Sequence, residues 1–450
     1  MEALRLFVHV VLGGITFYLL RECLEDIRSL APQHEVAATL ARLVDEDGAG
    51  AWPPRANHDH GAWPAPLRPY KEIYLQLAPF LPMTRPCLDD DYNSRRISRF
   101  RDHFREFLSH NVDREQVRQL LDVVELGQSD ALSQEVYNAF YCCIAWCRHA
   151  YRWGIIPVVR VAQLERELEI PPELDEPWPY LQRHFGCTSQ SGNVTSSLVL
   201  NFDIHGNHVF KINTGLPDAV TSAEEAFSRI VREVETAGLP IYREMLRAIN
   251  AFEHHEMAVC MVHMTRISKQ LHQALNCYYT RLHDKIIPHA VWLSHVQGFF
   301  AWGIGYVDPA TGEWHEFDGL SGNQILLFQA LDAFLGLEPY LPAETQHLNM
   351  PACQRALCRS LEKHFFRAEL GKSRARWSED EARIAAEFDE IVKQLRRFRS
   401  AHRARSKAYL SEPAPERLPM TAGKSLLKPD LELSLKFLDG FMVQRLEQTV

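Results

Sequence analysis

The 450-residue sequence predicts an all-α fold with minor β. Apolar residues recur at three- and four-residue spacing through most of the chain, and those runs stop at Gly or Pro. Only one stretch alternates apolar and polar residues between turn signals, as strands do.

The first run, "LFVHVVLGGITFYLL" from Leu6 to Leu20, carries no formal charge. A spanning helix takes about 20 apolar residues. A cleaved leader shows a basic start and a small-residue site, and neither Glu2 nor "LLRECLED" supplies these. A packed helix within residues 1–30 is therefore expected, with a short membrane anchor as the alternative. "EVAATLARLVDEDGAGAWPP" reads as a helix closing at Gly48 and Gly50, followed by a Pro/Trp/His-rich loop. Amphipathic helices then follow in "LRPYKEIYLQLAPFLP", "SRRISRFRDHFREFLSHNV", "DREQVRQLLDVVELGQ" and "SQEVYNAFYCCIAWCRHAYRWG". "IPVVRVAQLERELEIPPELDEPW" adds a short helix stopped at Pro171–Pro172, since proline cannot donate to the helix ladder.

The alternating stretch is "HFGCTSQSGNVTSSLVLNFDIHGNHVFKINTG". It reads as a hairpin-like junction between a smaller N-terminal helical domain, 31–190, and a larger C-terminal helical domain, 191–450. Helical patterns resume at "SAEEAFSRIVREVETAG" and continue over 242–286, 289–303, 323–336 and 378–410.

A hydrophobic content of 46% and a charged content of 24% are those of a soluble globular protein. The net charge of −9 argues against a dedicated nucleic-acid binder, which shows a basic domain. Cys142, Cys143 and Cys147 lie at helical spacing in an apolar run; a zinc site with His149 needs a second ligand pair that the sequence lacks. Core thiols in a reducing, cytoplasmic setting are expected.

The basic stretch "FRSAHRARSKAYL", 398–410, holds a single histidine, His402. A nucleic-acid face, a solvated helix surface and a metal-ligand position all share this appearance. Ser378 and Glu381 form a capping box. From there the apolar stripe runs through Ile384, Phe388, Ile391, Val392, Leu395 and Phe398, and four residues further it meets His402, then Ser406 and Tyr409. His402 is expected to point inward while most of the basic residues face solvent. A lone inward histidine is more often a hydrogen-bonded core residue than a ligand, so phase alone leaves both readings open. "EHHEMAVCMVH" is no zinc-protease motif, because Val259 stands where the second histidine is needed.

Four separated stretches resemble the indoleamine 2,3-dioxygenase family of haem enzymes. "IPVVRVAQLERELEIPPELDEPW" is similar to the family's leucine-rich segment ending in a Leu-Pro-Pro turn, and "RLHDKIIPHAVWLSHVQGFF" to the helix that follows His-Asp-x-x-x-Pro. "FDGLSGNQILLFQALDAFLGL" resembles the Gly-Gly-Ser-Ala-Gly-Gln loop with its helix, and "QLRRFRSAHRARSKAYL" the helix whose Arg-Ser-x-His carries the proximal haem ligand. Order and spacing are kept over roughly residues 140–410.

The resemblance implies a haem b cofactor in the C-terminal domain, with His402 binding the iron. It implies Arg399 and Asp332 in a charged network toward a haem propionate, and Ser321 and Gly322 in a loop over haem edge and substrate. The haem, and no protein acid or base, would carry the chemistry. Both atoms of O2 would enter the C2–C3 bond of an indole, tryptophan or a relative, giving an N-formylkynurenine-type product of tryptophan catabolism. Small-molecule indole and O2 are the implied partners of a monomer. The alternatives are a same-fold haem enzyme with altered chemistry on an indole secondary-metabolite precursor, and a non-catalytic haem-binding or signalling protein.

The sequence departs from the family at several pocket positions. Asn323 replaces a loop glycine. In tryptophan-cleaving members an arginine of the post-proline helix holds the substrate carboxylate. Here "HAVWLSHVQGFFAWG" has no Arg or Lys, and the equivalent is Gln297 or Val296. The paired pocket aromatics become Val291–Trp292 or Trp292–Leu293, and the distal serine falls on Ser228 or Arg229. Arg229 would restore a cation from another wall; without one, an indole lacking a free carboxylate is the expected substrate.

Overall fold

Buried apolar faces pack into one continuous cluster from Cys23 to Met420 in the computed structural model, which describes residues 20–48, 51–317, 319–371, 378–410, 414–425 and 431–450. Among these residues no helix is long and apolar enough to cross a membrane. The 6–20 run lies almost entirely outside the described residues.

The helices that place the site have local causes. Asp89 caps α1, Asp90–Asn111, by accepting from the Tyr92 amide. Ser133 opens α2, Gln134–Trp153, and Gly154 closes it in the left-handed conformation. Every residue of α2 from Val136 onward is buried, and Cys142, Cys143 and Cys147 are free thiols within it, as the apolar spacing predicts. The C-terminal half holds α3, Asp218–Glu253; α4, Met257–Arg281; α5, Leu326–Leu335; α6, Glu379–Leu410; and α7, Leu431–Glu447.

The single helix expected over 242–286 is in fact two. His255 takes a φ of 60°, which a non-glycine residue rarely adopts, and the chain breaks there between the packed helices α3 and α4. Nor does α3 stop at Gly238. A Cβ at that position would lie 2.6 Å from the Tyr242 hydroxyl, so glycine admits the tyrosine ring against the helix.

The alternating stretch forms no paired strands, and its hairpin-like part is confined to a short turn between Asn201 and Val209. It holds a π-helical turn, Thr195–Val199, and one antiparallel bridge between Phe202 and His208. Buried side chains satisfy its backbone instead: Asn201 donates to the Phe210 carbonyl at 2.9 Å and accepts from the Phe210 amide at 2.8 Å. Among the described residues the sheet is β1, Gly305–Val307, antiparallel to β2, Trp314–Glu316, with Tyr306 opposite His315.

The end of α2 fixes the irregular segment that follows residue 298. Trp153 Nε1 donates to the carbonyls of Phe299 and Ala301 at 3.0 and 3.1 Å, and Arg152 Nε donates to that of Trp302 at 2.8 Å. These buried donors satisfy carbonyls that no helix ladder serves.

Candidate functional site

The capping box on α6 is formed. The Ser378 amide donates to Glu381 at 2.7 Å and the Glu381 amide to Ser378 Oγ at 3.2 Å. Ile384, Phe388, Ile391, Val392, Leu395 and Phe398 are buried in turn. At His402 the stripe opens, and its ring is accessible. Yet desolvation by the surrounding protein pushes its pKa down to about 4. Both hold for a ring that faces a protein-walled recess. Phe398 and Tyr278 flank it, with centroids at 6.2 and 5.8 Å, and Ser406 Oγ is hydrogen bonded to Nε2 at 3.2 Å. The imidazole is neutral at physiological pH, the form that binds a metal.

The basic residues around His402 have separate employments. Arg405 donates to the carbonyls of Tyr279 and Leu282 at 3.1 and 2.9 Å, closing the end of α4 where a cation suits the helix dipole. Arg403 pairs with Asp439 of α7 at 2.6 Å. Arg399 donates to Asp332 at 2.7 Å and to Thr449 Oγ1. A second guanidinium, Arg445 of α7, also binds Asp332 and reaches the Glu338 carbonyl at 2.7 Å. Burial pushes the Asp332 carboxyl above its ordinary value, opposed by Arg399 and Arg445. Sequence reasoning missed Arg445 and Thr449, which lie in no recognisable motif.

The post-proline segment is not one α-helix. It turns once as α-helix, His289–Val291, then as π-helix, Trp292–Val296, then as 3₁₀-helix, Gln297–Phe300. Tyr409, near the end of α6, donates to the Ile287 carbonyl at 2.7 Å and meets the Trp292 ring at 5.5 Å. Phe227 completes an aromatic wall, 6.2 Å from Trp292 and 5.8 Å from Phe300. Val291 is half-buried; Leu293 and Val296 are buried. Ser228 follows Phe227, and its buried hydroxyl has no hydrogen-bond partner. Arg229 is not brought to this wall. It pairs with Glu225 at 2.6 Å, donates to the Gly206 carbonyl at 3.1 Å and lies over the Phe202 ring.

The cation that does reach the post-proline segment is Arg417, which the sequence reading did not select. Its Nη2 donates to Gln297 Oε1 at 2.6 Å and to the Leu293 carbonyl.

Around Ser321 and Gly322 the close backbone approach falls on a different glycine. A Cβ on Gly319 would collide with the carbonyl oxygens of Phe300 and Ala422, whereas Gly322 has open space. The Gly319 amide donates to the Gly423 carbonyl at 2.8 Å and the Leu320 amide to that of Phe300 at 3.0 Å. The loop thus lies between the post-proline segment and residues 421–425. Ser321 precedes a 3₁₀ turn without a side-chain cap bond. The buried Gln324 secures the turn by accepting from the Val194 amide at 3.0 Å.

Comparison with known proteins places these features in context. A family model described as "IDO: Indoleamine 2,3-dioxygenase" matches residues 76–432. A protein of Aspergillus nanangensis, "Indoleamine 2,3-dioxygenase nanC", is 25% identical over 262 residues, which are 53% of this chain and 62% of that protein. The chain therefore spans about three-fifths of the length of this curated relative.

Proposed function

This chain belongs to the indoleamine 2,3-dioxygenase family, and from that premise we propose that it is a haem-dependent dioxygenase that opens an indole ring. The observation that carries the reading is His402: an accessible, neutral imidazole, without an acidic partner among the described contacts, at the end of a buried stripe. The donor chemistry fits haem b. His402 would bind the iron, and two guanidiniums set against the single carboxylate of Asp332 leave a positive charge suited to a propionate. When bound, haem supplies the O2 chemistry, by which both oxygen atoms enter the C2–C3 bond and give an N-formylkynurenine-type product.

The protein's own part is orientation and exclusion of water. Phe227, Trp292, Phe300 and Tyr409 meet at angled contacts, a surface on which a flat aromatic substrate stacks well. Leu293 and Val296 of the same segment are buried. The hydrogen bond from Tyr409 ties the wall to α6, so the helix bearing His402 and the substrate face hold one relative position.

The test is turnover of an indole panel: tryptophan, tryptamine and an indole ester, with the reduced protein in labelled O2. Equimolar loss of O2 and indole, with both labelled atoms in the product, is the expected result. Haem binding with no O2-dependent turnover of any indole would replace the enzyme reading with a non-catalytic one.

A further inference from the structure

We infer that Arg55, Arg229 and Arg232 form a binding site for a phosphoryl group, as free phosphate or a phosphate monoester, at the turn 203–207. The turn assembles the site. Asp203 commits its carboxylate to the turn itself, accepting from the amides of His205 and Asn207 at 2.9 and 2.8 Å and from Asn207 Nδ2 at 2.8 Å. Two carbonyls of the turn hold arginines from distant segments: Arg55 Nη1 donates to Ile204 at 3.3 Å and Arg229 Nη2 to Gly206 at 3.1 Å. Arg232 follows Arg229 by three residues on α3, and its guanidinium lies beside Gly206, 3.4 Å from where a Cβ would stand. Arg229 and Arg232 both face the Phe202 ring, 5.3 and 4.9 Å from its centroid. Such contacts fix a guanidinium without occupying its N–H donors.

The acids nearby do not satisfy the three cations. Glu225 takes Arg229 at 2.6 Å, Glu233 takes Arg281 of α4 at 2.5 Å, and Asp203 is held by its own turn. Arg232 has no hydrogen-bond acceptor among the described residues, and Arg55 Nε is buried without one. Burial, and then Arg55 and Arg229, push the Arg232 pKa below its ordinary value; Glu233 and Asp203 act the other way and count for less. Lys211 adds a fourth cation: after burial, it and Arg229 bring the His208 pKa down to about 3. A buried donor is seldom left unsatisfied, and cations gathered with too few carboxylates are relieved by a bound anion. Two guanidinium forks with donors to spare match the several oxygens and double charge of a phosphoryl group. On a chain of net charge −9 this is a local site for a small ligand.

Calorimetry on the full chain as purified tests the site, with inorganic phosphate and methyl phosphate titrated in chloride buffer at constant ionic strength. Wild type should bind inorganic phosphate saturably. Arg232→Gln and Arg55→Gln should each weaken that binding about tenfold or more, the usual loss of a charge-assisted contact. Arg232 donates no hydrogen bond among the described residues, so its variant should fold, and Arg55→Gln reads the site independently. Arg85→Gln removes the same charge from an exposed position elsewhere and should leave binding unchanged. No saturable binding in wild type, wild-type affinity in both folded variants, or an equal loss in Arg85→Gln would overturn the inference. Binding of methyl phosphate as well identifies the ligand as a phosphate ester, and binding of inorganic phosphate alone as the free ion; either supports the site. None of these outcomes depends on haem or on indole turnover, so the site and the dioxygenase reading stand or fall separately.

Discussion

Asp332 receives guanidiniums from α6 and α7, and with its side chain buried it is the only carboxylate that both Arg399 and Arg445 touch among the described contacts. Asp332→Asn leaves the buried Arg445 and the half-buried Arg399 without their shared carboxylate and should cost about 3–5 kcal/mol of folding stability. Arg445→Met keeps the Asp332–Arg399 pair and should cost clearly less. Urea unfolding midpoints of the two variants measure this, and equal, small losses would show that the cluster holds nothing together. The motifs made the Arg399–Asp332 pair legible in the sequence. Arg445, Thr449 and Arg417 were not, because each acts across a long sequence separation that no local pattern encodes. Arg229 misled for the same reason: its position in the chain suggested the pocket, but Glu225 one turn earlier takes its charge.

At the scale of elements, α5 begins without a cap of its own. Its first amide, Leu326, is served by Glu235 of α3 at 2.5 Å. Burial pushes the Glu235 carboxyl from its ordinary 4.5 up to about 8. The folded protein therefore holds a proton that the unfolded chain has released between those values. Stability falls as pH rises through that window, by at most about 1.4 kcal/mol per pH unit for one proton. Glu235→Gln keeps an acceptor for Leu326 and never ionises, so its stability should fall less steeply from about pH 5 to about pH 9. Identical slopes in the two proteins, from unfolding midpoints across that range, would remove Glu235 as the source. Helices with their own caps and stripes, such as α2 and α6, could be read from the sequence. The π-turns, the break at His255 and the cap lent by α3 could not, because tertiary contacts decide them. The alternating 184–215 stretch failed as a strand signal because Asn201 satisfies backbone groups that a ladder would otherwise take.

Across the whole molecule, α2 of the N-terminal half holds the segment after residue 298, that segment holds the loop at Gly319 and Leu320, and the 421–425 segment holds the loop from its other side. Three distant regions of sequence thus converge around the wall that faces α6. Three cations of the basic stretch, Arg399, Arg403 and Arg405, are engaged locally, with Asp332, Asp439 and the carbonyls at the end of α4. The family resemblance was legible because four motifs kept their order.

The most direct measurement is the haem content and optical spectrum, ferric and ferrous with CO, of wild type and His402→Ala purified in parallel. The account predicts a Soret band in wild type that shifts with CO, and a folded His402→Ala variant that retains almost no haem. A His402→Ala variant with the wild-type haem complement and Soret band would contradict it.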